Sequence, residues 1–78
     1  MSKDAFALDL EEKLADDGDG WFKEELLERL RNEAVGIKRR MDAGVPPAEF
    51  ARLQKTAAAL DAAATVVEGV WARMHPGG

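Results

Sequence analysis

Residues 44–74 read GVPPAEFARLQKTAAALDAAATVVEGVWARM, and the spacing of their apolar side chains decides the fold. Phe50, Leu53, Ala57, Leu60, Ala64, Val67, Trp71 and Met74 follow one another at alternating intervals of three and four. That rhythm is the seam of a helix lying along another helix. Upstream, Leu27, Leu30, Ala34, Ile37 and Met41 form a shorter seam of the same kind. Gly44-Val45-Pro46-Pro47 separates the two. Glycine suits the residue after a helix end, and proline cannot continue a helix but fits the first turn of the next. Two seams joined by a tight turn predict an antiparallel, coiled-coil-like helical hairpin.

The flanks extend this pattern. Helices are expected over about 21–43 and 47–74, with Glu24, Glu25 and Glu49 in first turns and Lys38-Arg39-Arg40 in a last turn, as the helix dipole favours. Glu25 and Arg29 form a well-oriented i, i+4 pair. Gly36, inside the second helix, costs up to about 1 kcal/mol relative to alanine and is expected to permit close approach of another backbone. Before the hairpin, Phe6, Leu10 and Leu14 recur every four residues, with Ala7 beside them. They mark a short amphipathic helix over about 2–16, capped by Ser2 and carrying an Asp9–Lys13 pair. At this length such a helix is marginal in water and has to dock or fray. The reading is therefore all-α: a hairpin with a short N-terminal helix, one domain over 1–78, and a flexible tail at 75–78 that includes an exposed His75.

Asp16-Asp17-Gly18-Asp19-Gly20 interrupts the first two helices, with Asp19 or Gly20 as the N-cap of the second. It resembles part of a calcium loop. Placing Asp17, Asp19 and Gly20 at the third, fifth and sixth positions, however, puts Ala15 at the first and Leu26 at the twelfth, where acidic ligands are required. A solvated linker is the expectation that remains.

Composition narrows the function. The chain has 78 residues, no cysteine and one histidine. A chain this short buries only about 60% of its unfolded surface and is usually reinforced by disulfides, a metal or a partner. Without cysteine, and with His75 alone, neither a disulfide nor a zinc site is available, which leaves a partner or self-association. The net charge is −4, concentrated in the first twenty residues. There is no basic stripe for nucleic acid and no apolar run of the roughly 18 residues needed to span a membrane. No catalytic triad and no phosphate-binding loop is present. An enzyme is not expected, nor is any cofactor. Absent cysteine and an acidic start without the pattern of a signal peptide are what a cytosolic protein shows.

The third helix carries more apolar surface than a hairpin uses. Ala59, Ala62 or Ala63, Val66 and Val70 form a second stripe beside the seam, with Asp61 and Glu68 the only charges between Ala57 and Trp71. A helix apolar on two sides is normally covered on two sides. Either the N-terminal helix covers the stripe with Phe6, Leu10 and Leu14, or a partner protein does. The candidate partner-binding residues are accordingly Ala59, Ala62, Ala63, Val66 and Val70, with Phe6 and Leu10 next. The antiparallel arrangement also brings Trp71 toward Trp21 and Phe22, predicting an aromatic cluster at the open end. A self-associating coiled coil or helical bundle using the same seams is the alternative.

From Leu10 to Val70 the assembled pattern resembles a known family. Its parts are the leading Leu10–Leu14 stretch, the acidic-glycine break, and Leu26-Leu27-Glu28-Arg29-Leu30. They continue with the run from Lys38 through Met41, Gly44 and Pro46-Pro47 to Phe50, then Leu53-Gln54 and the Ala57–Ala64 segment. Together these are similar to the small YscE-type co-chaperones of bacterial type III secretion needle subunits. The two tryptophans and the extension from Arg73 depart from that compact pattern. The resemblance implies a non-enzymatic cytoplasmic protein. It would pair with a second chaperone built of tetratricopeptide-like repeats and so shield the needle subunit from polymerising before export.

Overall fold

The structure, a computed structural model, describes the backbone of residues 3–77 and the side chains of residues 9–77. Three helices follow in order: α1 (Lys3–Ala15), α2 (Trp21–Ala43) and α3 (Pro47–Met74). The described residues contain no strand. α2 and α3 form an antiparallel hairpin and share the most extensive interface, and α1 folds back against both. The molecule measures 44 × 28 × 15 Å, and its long dimension is that of α3, about 42 Å at 1.5 Å per residue.

The turn works through backbone chemistry. Gly44 ends α2 with φ of 97°, a region that favours glycine, and its N–H returns to the Met41 carbonyl at 3.2 Å. Its ψ of 117° lies outside the left-handed helical well expected for a C-terminal glycine, and the next residue, Val45, is held extended by the proline that follows it. Pro46 then caps α3, accepting the Phe50 N–H at 2.9 Å, and Pro47 opens its first turn. Arg40 crosses the turn to Glu49 at 2.8 Å. Exposed pairs of this kind contribute about 0.2–1 kcal/mol.

The seams supply the core. Leu27, Ala34, Leu53, Ala57 and Val67 are buried, and Leu30, Ile37, Met41, Leu60, Ala64 and Trp71 are half-buried. The first and last positions of the α3 seam, Phe50 and Met74, are exposed. α3 has 28 residues against 23 in α2, and the excess lies at the end away from the turn, where Met74 sits. Gly36 also departs from expectation. Nothing lies within 4 Å of where its Cβ would be, so no backbone approaches it. The deepest burial is at the open end, where Leu14 of α1 and Leu27 are each 1% exposed and pack with Val67. Full burial of such a leucine contributes about 1.5–3 kcal/mol, which is what holds a helix as short as α1 in place.

Candidate functional site

The second stripe of α3 is divided between an inner and an outer part. Val70 is half-buried against the Leu14–Leu27–Val67 cluster, as is Leu10 of α1. Ala63 is half-buried, whereas Ala59 and Ala62 are exposed and Val66 retains 61% of its accessible surface. The Phe6 side chain lies outside the described residues. α1 thus covers the end of the stripe nearest the α3 C-terminus and leaves Val66 uncovered. Of the two coverings weighed from the sequence, the internal one takes the end of the stripe at Val70, and the outer part at Val66 is exposed.

The linker between α1 and α2 is not simply solvated. Asp17 is only 7% exposed. Its carboxylate oxygens accept the N–H groups of Phe22 at 2.9 Å and Lys23 at 2.8 Å. These are two of the donors that the first turn of a helix leaves unpaired. Asp19 accepts a third, from Trp21, at 3.1 Å, and Gly20 takes the N-cap position with φ of 78°. Burial opposes ionisation of Asp17. The N–H groups of Lys23 and Phe22, the Asp19 carboxyl and the charge of His75 outweigh it and hold the Asp17 carboxyl below its ordinary value of 3.8. With both carboxylate oxygens committed to the α2 backbone, the calcium-loop resemblance loses its central residue as well as its ends.

The same linker receives the C-terminal end of α3. Trp71 donates its indole N–H to the Asp17 carbonyl at 2.8 Å, and His75 Nε2 lies 2.7 Å from the Leu14 carbonyl. A carbonyl only accepts, so that nitrogen carries the proton. The expectation of a loose, exposed His75 is therefore corrected: its ring is half-buried and tilted against Trp71, with centroids 4.6 Å apart. The aromatic cluster is corrected as well. Phe22 and Trp71 pack against the core cluster, but Trp21 is 75% exposed. Trp21 shares its helix face with Glu24, Glu25 and Glu28, at i+3, i+4 and i+7, and that face points away from the seam. Lys23 instead covers Trp71, with Nζ 4.2 Å from the ring centroid, a contact worth about 0.5–2 kcal/mol.

Among the described residues no group of three acidic, histidine or cysteine side chains is placed to hold a metal ion, and no helix is long and apolar enough to cross a membrane. The geometry is that of a small helical hairpin with one helix folded back and an apolar row partly uncovered. A family profile described as "Type III secretion system, cytoplasmic E component of needle" matches residues 9–74. That span takes in all of α2 and α3, and the chain belongs to this family. The family is thus one of cytoplasmic components of the secretion needle, which agrees with the resemblance read from the sequence. Comparisons with curated proteins and with solved structures give no match.

Proposed function

We propose that this chain is a non-enzymatic co-chaperone. It pairs with a helical-repeat chaperone of tetratricopeptide type and, through it, keeps the needle subunit from polymerising before export. Family membership supports a role in needle secretion. The observation that carries the binding role is Val66, an exposed valine on the longest helix, flanked on its face by Ala59 and Ala62. Small neighbours let a second helix approach closely, and Val66 supplies the apolar contact. A partner that binds only the folded form also adds stability by mass action, which suits a chain this small.

The test is recovery of the tagged chain from its native host together with Val66→Asp and Val70→Asp. Co-purification of a helical-repeat protein, with or without a needle subunit, supports the reading. Val66→Asp is expected to weaken that pairing by roughly tenfold or more while leaving helicity intact, because the side chain is already in water. Val70→Asp is expected to lower helicity, because Val70 packs on the core. Recovery of the chain alone, at a mass above the monomer, would replace the co-chaperone reading with a self-associating bundle.

A further inference from the structure

The last turn of α3 ends in two side chains that reach back across the molecule and take hold of main chain. His75 closes α3 with its own N–H on the Trp71 carbonyl at 3.0 Å, and its ring donates to the Leu14 carbonyl at 2.7 Å. Trp71 donates to the Asp17 carbonyl at 2.8 Å, and the Asp17 N–H also meets Leu14, at 3.3 Å. Asp17 itself is fixed to α2 by its carboxylate. The chain therefore has a firm point at Asp17 and a short helical arm before it, joined to it by the Asp17 N–H on Leu14 and the Asp16 N–H on Glu12. α1, with thirteen residues, is below the length at which a helix holds itself in water. Its described side-chain packing on the hairpin comes from Leu10 and Leu14.

We propose that α1 is a hinged lid over Leu27, Val67 and Val70, and that a latch at the C-terminal end of α3 adds to the burial of Leu14 in holding it closed. The His75 ring on the Leu14 carbonyl is the latch, and Trp71 on the Asp17 carbonyl is its anchor. The hinge is Ala15–Asp16, between the last latched residue and the fixed one. Opening the lid would join Val70 and Val67 to the uncovered Val66 in one apolar row. On the co-chaperone reading, a partner helix reaching Val70 would compete with α1 for it. The latch itself does not depend on that reading.

Amide hydrogen exchange on the full chain, followed by mass spectrometry without any partner, tests the latch. His75→Ala is expected to speed exchange over residues 11–17 roughly fivefold, the effect of losing one net hydrogen bond from a local opening. Residues 24–40 and 50–70 should stay unchanged. His75→Gln, whose side-chain amide can donate to the same carbonyl, is expected to restore most of the protection. Unchanged exchange over 11–17 in His75→Ala would overturn the proposal. So would equal acceleration throughout the hairpin, which would make α1 an inseparable part of one cooperative unit. Failure of the glutamine variant to recover protection lost in the alanine variant would also overturn it, since the ring's packing rather than its hydrogen bond would then be responsible. Because no partner is present, none of these results bears on whether Val66 binds one.

Discussion

Replacing Asp17 with alanine removes a side chain that sequence spacing hides and the structure places at the centre of the open end. Two N–H groups of the first turn of α2 lose their acceptor, at 2.9 and 2.8 Å. Hydrogen bonds to a charged group contribute about 1.5–3 kcal/mol each, but the cost of burying the carboxylate disappears with it, so the sum overstates the loss. Capping substitutions cost about 0.5–2 kcal/mol, and with two donors orphaned the expected loss is about 2 kcal/mol, at the upper end of that range. For a domain of this size 1 kcal/mol moves Tm by roughly 4–8 °C, so the variant should melt about 8–16 °C below the parent, followed by circular dichroism. The pH dependence gives an independent check. The Asp17 carboxyl is held below 3.8 in the folded chain, so its contribution is fully present above that value and is lost as the pH falls through the lowered one. The gap between parent and Asp17→Ala should therefore be constant above about pH 5 and narrow in stronger acid. A variant that melts with the parent at pH 7, or a gap that does not narrow in acid, would refute the reasoning.

Two further outcomes follow from burial and backbone geometry. Gly36→Ala should stabilise the chain by up to about 1 kcal/mol, read from urea unfolding, because the position is mid-helix and open space surrounds the added methyl; destabilisation would mean that something does approach it. Trp21→Phe should leave Tm within about 2 °C of the parent, as surface substitutions usually change stability by no more than about 0.5 kcal/mol, and should remove the red-shifted part of the fluorescence. A large loss of stability would contradict the 75% exposure of Trp21.

The hairpin was legible because one repeating spacing determines both its helices and the face each presents. The Gly44–Pro47 turn was legible because glycine and proline act on the backbone at their own positions. The placement of α1 was not, because Phe6, Leu10 and Leu14 make a stripe too narrow to say which surface it meets. Asp17 was missed for a different reason. A capping side chain normally lies two or three residues before the N–H it accepts, whereas Asp17 acts on Phe22 and Lys23, five and six residues on. The Trp71 and His75 bonds span 54 and 61 residues, and no local rule links such positions. Of the candidate stripe, the residues were legible but their division was not, since it depends on where α1 comes to rest.

That division separates the informative residues from the uninformative ones. Alanine is the best helix former, so Ala59 and Ala62 on the outside of α3 are accounted for by helix stability alone. Their exposure carries little information about a partner. Valine at position 66 has no such account. It is β-branched, loses rotamer freedom in a helix, and keeps 61% of its surface in water, where alanine would serve the isolated fold better. Val67 and Val70 bear the same local cost, but there packing against Leu14 and Leu27 offsets it. A residue that works against local propensity and gains nothing within its own chain is where a functional demand is expected to show. In α3 the exposed valine that meets this condition is Val66.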